Sequence, residues 1–289
     1  MSFRPGRDFL EFHDLSADAI FSIIDRAGAL AEDWLQGTMP QTLKGKRVGL
    51  IVDDTGWRNT AAFDLGIQAM GGICVSVPIN FNGREEIADL AGYLDNWFDL
   101  LIIRTKELST LRALAADMRA PVINARTKFN HPCETLGDLA YVKSLRGQTA
   151  DLKIVGVAPD ANILRSWVEA SISLPIQVTQ VYPDQWHVTD AALINPNFRA
   201  STDMDELLDA DVVITDSWPS DANHHLADYS ISASLLDKMR PDVIFLPCPP
   251  VSRGQEVTAD AMAHPACQSR SAKAFLLHAQ NALMEFLLA

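Results

Sequence analysis

Three side chains capable of chemistry, Arg58, Arg104 and His131, each follow a short apolar run and precede a helix-forming one. Arg58 lies in DDTGWRNTAAF, where a loop turns into the helical pattern TAAFDLGIQAM, so backbone N–H groups and a guanidinium converge on one small volume. That combination favours phosphate or carboxylate, because the first N–H groups of a helix have no intrahelical partner and a guanidinium fork matches two oxyanion oxygens. Arg104 and Thr105 leave a neighbouring run and add a second cation and a hydroxyl. His131, with Pro132 at the first helical position, sets an imidazole beside another helix N-terminus. Together they make an anion pocket with a polarising group at its edge.

Taken singly, each residue has a plainer reading. An arginine after a strand is commonly solvated or ion-paired, a histidine before a helix is commonly a cap, and Cys248 by itself is a small core residue. His224 and His225 in DANHHLADYS have no third ligand at metal spacing, so no metal site is expected. Convergence carries the functional reading. DDTGWRNTAAF, RTKE, NARTKFNHPCE, TDSWPS and PCPPVSRG all follow strand-like runs, and ligands of open parallel sheets bind outside the carboxyl ends of the strands.

The elements that position these residues alternate. Ser16 caps a helix with apolar positions Ile20, Ile23, Ile24, Ala27 and Leu35, and Gly37 ends it. RVGLIV (47–52), ICVSV (73–77), DLLIIR (99–104) and PVINA (121–125) then alternate with helical stretches near 60–70, 84–96, 106–117 and 133–145. After the polar hinge LRGQTADLK, the runs KIVGVA, IQVTQVY, DVVITD and DVIFLP repeat the pattern, and SAKAFLLHAQNALMEFLL closes the chain as a helix. Apolar strands alternating with helices predict an α/β fold of two doubly wound parallel sheets. The expected domains are 1–147, joined by the terminal helix 270–289, and 148–269. No G-x-G-x-x-G or G-x-x-x-x-G-K-[ST] follows any strand, so no nucleotide cofactor is expected.

Composition narrows the partners. The chain has 289 residues, 48% of them hydrophobic, enough for a sizeable core in each of two domains. A formal charge of −13 without lysine or arginine clusters argues against nucleic-acid or acidic-membrane binding, so an anionic ligand must be gathered by a few placed donors. No apolar run approaches membrane-spanning length and MSFRPGRDFLEF lacks a signal-peptide core, which predicts a cytoplasmic protein with small-molecule partners. The four scattered cysteines read as reduced thiols.

These residues carry a resemblance. LKGKRVGLIVDDTGWRNTAAFDLGIQAMGG, IIRT, PVINARTKFNHPCETLGDLAYVKSLRG, DADVVITDSWPS, KMRPDVIFLPCPPVSRGQEVT and LLHAQNALMEFLL are similar, in order and spacing, to the aspartate and ornithine carbamoyltransferase family. The most specific pieces are IIRT followed by HPC, and D-x-W-x-S followed by C-x-P-x-x-R-G-x-E-V, which resemble the ornithine branch more closely. The resemblance implies that the first domain binds carbamoyl phosphate, the second binds an amine acceptor, and the last helix returns to the first domain. It also implies a homotrimer with shared active sites, a loop near residues 78–86 being lent by the neighbouring subunit, and no cofactor. Arg58, Arg104, Thr105 and His131 match positions that grip the phosphate and the carbonyl oxygen, with Asn59, Thr60 and Glu134 in the same donor site. Asp216, Ser220 and Cys248 match positions that handle the acceptor, with Arg253 in the last motif. Arg104, His131, Asp216 and Cys248 are the catalytic candidates.

The chain also departs from the family pattern. Gly56-Trp57-Arg58-Asn59-Thr60 stands where the family has Ser-Thr-Arg-Thr-Arg, so one arginine and three hydroxyls are replaced, and the larger Trp57 can fill part of the phosphate site. Glu134 replaces a glutamine, and a carboxylate roughly 5 Å from a phosphate repels each unit of its charge by about 3 kcal/mol at an effective dielectric of about 20. Ala274-Phe275-Leu276 replaces Glu-Asn-Arg, Pro247-Cys248-Pro249-Pro250 replaces His-Cys-Leu-Pro, and Ser220-Asp221-Ala222 replaces Ser-Met-Gly. The sequence thus predicts carbamoyl transfer to an amine other than ornithine or aspartate, the alternative being a non-catalytic member that binds an amino-acid-like or cationic metabolite.

Overall fold

The computed structural model describes residues 7–52, 56–81, 83–220 and 224–289, apart from the side chains of His224 and His225. The chain divides into two compact units, Met1–Leu145 with Lys273–Ala289, and Arg146–Ala272.

In the first unit, α1 (Ala17–Gln36) begins where the Ser16 hydroxyl accepts the Ala19 N–H and ends at Gly37, whose φ of 70° lets its N–H reach the Asp33 and Trp34 carbonyls. Its buried stripe is Ile20, Ile23, Ile24, Ala27 and Leu30. Leu35, assigned to that stripe from spacing, is instead 86% exposed on the last turn. The unit continues with β1 (Arg47–Val52), α2 (Trp57–Ala69), β2 (Ile73–Ser76), α3 (Ile87–Leu94), β3 (Leu100–Arg104), α4 (Leu108–Asp117), β4 (Val122–Arg126) and α5 (Pro132–Arg146). The four strands form a parallel sheet in the order β2-β1-β3-β4.

The second unit holds β5 (Lys153–Val157), α6 (Asn162–Ser173), β6 (Gln177–Val181), β7 (Phe198–Ser201), β8 (Val212–Thr215), the short α7 (Ala233–Leu236) and β9 (Ile244–Pro247). These strands form a parallel sheet in the order β7-β6-β5-β8-β9. The last helix, α8 (Ser269–Leu288), belongs to the first unit from Lys273 onward. The chain is therefore an α/β protein with two doubly wound parallel sheets and a returning C-terminal helix.

Both strand orders contain a reversal. The chain leaves β1 toward β2 and then crosses to β3 on the other side of β1; in the second sheet it leaves β5 toward β6 and β7, then crosses to β8. Ligand crevices open where strand order reverses, at the carboxyl ends of the two diverging strands. The first switch point lies beside residues 56–60 and Arg104, and the second beside Asp216.

Candidate functional site

In the first unit, α2 starts directly at Trp57, and Gly56 is its N-terminal flank. A β-carbon at Gly56 would fall 2.4 Å from Arg104 Nε and 2.5 Å from Arg104 Cζ. The Arg104 side chain therefore crosses the entrance of α2, next to the helix N–H groups, in room that only glycine leaves. At the end of β3 the register slips: Ile103 faces Asn124, but Arg104 faces Arg126, leaving Ala125 as the extra residue of a bulge. The Ala125 carbonyl, freed from regular pairing, accepts a hydrogen bond from Asn59 Nδ2 at 3.2 Å.

The loop that delivers His131 is fixed by a buried polar network. Thr127 Oγ1 accepts the Phe129 and Asn130 N–H groups and donates to Asn130 Oδ1 at 2.9 Å. Asn124 Nδ2 donates to Asn130 Oδ1 at 2.7 Å and to the Leu10 carbonyl, which Asn130 Nδ2 also reaches. Beneath the loop, Cys133 is fully buried and its thiol donates to the Asn124 carbonyl at 3.2 Å. These bonds fix the backbone of the loop that precedes His131.

His131 is 8% exposed and Glu134 6%. Burial, then the nearby cations Arg104, Lys273 and Arg126, hold the imidazole well below the usual histidine range, so it is neutral at pH 7. Its Nε2 lies 3.8 Å from Glu134 Oε2, and Lys273 Nζ is in direct contact with the other oxygen, Oε1. Burial, and after it the charge of Arg58, pulls the Lys273 ammonium down to about 7. The described residues thus bring three basic side chains, Arg104, Arg126 and Lys273, to bear on one neutral imidazole, with Arg58 acting on Lys273 and Lys273 in contact with the Glu134 carboxylate. In a chain with a formal charge of −13 this is a local concentration of basic side chains.

Not every residue expected here faces it. Asn59 is buried, and besides its bond to Ala125 it accepts Gln280 Nε2 at 3.0 Å, tying α2 to β4 and α8. The Thr60 hydroxyl donates back to the Gly56 carbonyl at 3.2 Å. Thr105 is buried with its N–H on the Arg126 carbonyl. Trp57, expected to fill part of the pocket, is 69% exposed, and the Arg58 guanidinium rests on its face 4.9 Å from the ring centre.

At the second switch point, Asp216 is half-buried and its Oδ1 accepts the Ser217 N–H at 2.8 Å. The Cys248 N–H donates to the Thr215 carbonyl at 3.1 Å, which ties the end of β9 to the end of β8 and leaves the thiol half-buried. Glu256 is 2% exposed and its Oε1 accepts the Ser252 N–H at 2.6 Å, closing the loop that carries Arg253. Arg253 and Ser220 are exposed, and Asp221 and Ala222 fall outside the described residues. The buried Tyr182, just after β6, has its hydroxyl pushed up by burial and by the charges of Asp216 and Glu256. Among the described residues no cluster of three or more His, Cys, Asp or Glu could hold a metal. Nor, among the described residues, is any helix long and apolar enough to cross a membrane.

Comparison with known proteins agrees with this geometry. Residues 7–144 match the description "Aspartate/ornithine carbamoyltransferase, carbamoyl-P binding domain", and residues 150–287 match "Aspartate/ornithine carbamoyltransferase, Asp/Orn binding domain". The chain belongs to the aspartate/ornithine carbamoyltransferase family. It is 31% identical to the ornithine carbamoyltransferase of Oceanobacillus iheyensis, over 98% of this chain and 95% of that one. Among solved structures, the ornithine carbamoyltransferase from Burkholderia thailandensis superposes with a TM-score of 0.91 at 28% identity, covering 98% of each chain. That from Pyrococcus furiosus gives 0.91 at 26% identity, covering 96% of each.

Two residues of this cluster were not singled out from sequence. Arg126 is the last residue of β4 and satisfies the same strand-end rule that selected Arg104. Lys273 carries no local signal, since it reaches the site from the far end of the chain through the return of α8.

Proposed function

We propose that this chain transfers a carbamoyl group from carbamoyl phosphate to the amine of an amino-acid-like acceptor. The observation that carries the reading is the cluster of Arg58, Arg104, Arg126 and Lys273 around neutral His131 at the first switch point. A carbamoyl phosphate dianion needs several cations, and they and the N–H groups opening α2 stabilise the departing phosphate as its charge grows. Neutral His131 has an N–H to donate to the carbonyl oxygen, which becomes more negative as the amine attacks. Thr105 supports the same corner. In the second unit Asp216, Cys248, Ser220 and Arg253 are assigned to the acceptor, where the half-buried Asp216 carboxylate suits an amine or ammonium.

The names of the relatives make ornithine the first acceptor to try, and the replaced residues around positions 220–222 and 247–250 support a different amino-acid-like tail. Equilibrium binding by calorimetry tests the donor half: carbamoyl phosphate binding in the micromolar range, well above inorganic phosphate, is expected. An amine panel scored for ureido product, with ornithine and aspartate included, then tests the transfer. A chain that forms no ureido product with any amine yet is stabilised by an amino-acid-like or cationic metabolite is a binding protein, the second reading. The internally bonded Asn59 and Thr60 side chains favour that second reading, because they leave α2 with fewer arms for the phosphate.

A trimer belongs to the same proposal. Trp57 and Leu65 on α2, Ile73 and Val75 on the edge strand β2, and Tyr93 and Trp97 at and after α3 are all more than 40% exposed, and apolar side chains on an open sheet edge invite a covering subunit. Sedimentation equilibrium at three times the monomer mass supports it, and a monomer rejects it.

A further inference from the structure

We infer that Lys273 is a substrate-binding residue of the donor site, and that its contact with Glu134 converts a carboxylate that would repel phosphate into half of a neutral pair. The inference rests on the donor reading above and names the residue that makes it possible. Glu134 is the third residue of α5, pointing its charge toward the same helix N-terminus that His131 guards. Alone, it would oppose any phosphate held by Arg58 and Arg104.

The geometry of two helices places the compensating charge. A β-carbon at Gly137 of α5 would lie 3.2 Å from Leu276 Cα and 3.1 Å from Leu276 Cδ1, so α5 and α8 approach closely at that point. One turn earlier on each helix stand Glu134 and Lys273, on the same faces as Gly137 and Leu276. Tyr141 and Phe275, with ring centres 5.8 Å apart, lock the register from the side. Lys273 therefore reaches Glu134 because the helix pairing sets it there, and its side chain is only 17% exposed. Glu134 Oε1 takes the ammonium and Oε2 faces His131 Nε2 at 3.8 Å, so the carboxylate is braced between the two. A lysine used this way supplies a compact cation with three donors, of which one holds Glu134 and the others remain for oxygens of the ligand.

Calorimetry with carbamoyl phosphate and inorganic phosphate on four proteins tests this: wild type, Lys273→Met, Lys273→Met with Glu134→Gln, and Lys273→Arg. Lys273→Met is expected to weaken carbamoyl phosphate about 100-fold, because it removes one cation and exposes the ligand to the Glu134 charge. The double variant, which is neutral and similar in volume, is expected to recover only part of the loss and to bind about 10-fold more weakly than wild type, and Lys273→Arg to bind within about 10-fold. Melting temperatures of the same four proteins separate a merely structural role: if the loss and recovery of affinity only follow loss and recovery of stability, Lys273 holds the fold and the inference is overturned. The double variant also serves if Lys273→Met alone does not fold: carbamoyl phosphate affinity there equal to or above wild type overturns the inference, since the ligand would then owe nothing to the lysine. Wild-type binding with unchanged affinity in Lys273→Met overturns it while leaving the donor reading intact. Failure of wild type to bind either ligand overturns the donor reading and this inference with it.

Discussion

The Arg104 guanidinium occupies the place that a side chain on Gly56 would take: the β-carbon would sit 2.4 Å from Nε and 2.8 Å from Cδ. Gly56 has a φ of −114°, outside the left-handed region that favours glycine, so the glycine is required for space and not for a positive φ. Gly56→Ala should leave the melting temperature nearly unchanged, because the far end of a flexible arginine is what has to move. Phosphate affinity should fall by roughly one to two powers of ten, the worth of about one charged hydrogen bond at 1.5–3 kcal/mol. Thermal melting and calorimetry on the same preparation separate the two effects.

Asn59 works inward. Its amide donates to the carbonyl at the β4 bulge and its oxygen accepts Gln280 Nε2, all in a buried setting. Asn59→Ala removes two hydrogen bonds and strands the Ala125 carbonyl and the Gln280 amide, a loss of about 2–3 kcal/mol. Urea unfolding should show a lower midpoint with an unchanged slope. A loss of phosphate affinity with no change in midpoint would instead mean that Asn59 reaches the ligand.

Asp138, one turn beyond Glu134 on α5, is buried, and burial raises its carboxyl from 3.8 to about 8. Between those values the folded protein keeps a proton that the unfolded chain releases, so this group makes stability fall as pH rises, by about 1.4 kcal/mol per unit, until the loss is complete near pH 8. His131 and His278, both held below 6.5 by burial, act oppositely: the unfolded chain gains their protons first, so their contribution falls as pH drops below 6.5. Above pH 6.5 the Asp138 slope stands alone among these three. Asp138→Asn should therefore match wild type near pH 4 and exceed it by about 4 kcal/mol at pH 7. Denaturant titrations at pH 4, 6 and 7.5 check it; a constant difference between the two proteins would show that Asp138 ionises normally.

Much of this architecture was legible because parallel strands buried on both faces read as unbroken apolar runs, and RVGLIV became β1 residue for residue. The strand that escaped notice, β7, is the edge of its sheet: its sequence FRAS is largely exposed and Arg199 pairs with Glu206, so no apolar run announces it. Leu35 fits the helical period but lies on the last turn, beyond the core that Leu30 still reaches. The strand-end rule found Arg58, Arg104 and His131 because each follows its strand locally. Lys273 was hidden, since the charge it balances lies on a helix that only folding brings beside it. Glu134 read alone implied a repelled phosphate; Glu134 read with Lys273 does not.

Gly137 is where that pairing is most exposed to a single change. An alanine β-carbon there would meet Leu276 at 3.1–3.2 Å, including the α8 backbone, which cannot step aside as a side-chain tip can. Gly137→Ala should cost about 1–3 kcal/mol, the usual range for overpacking, offset by up to about 1 kcal/mol from the better helix propensity of alanine. Because α8 must shift to make room, Lys273 should lose its alignment with Glu134, so carbamoyl phosphate affinity should fall along with stability. Adding Leu276→Ala removes the 3.1 Å contact with Cδ1 but leaves the 3.2 Å contact with Cα, so affinity should recover only in part, and the smaller core remains less stable. Affinity that stays low in the double variant would mean that Gly137 matters for the conformation of α5 itself and not for its spacing from α8.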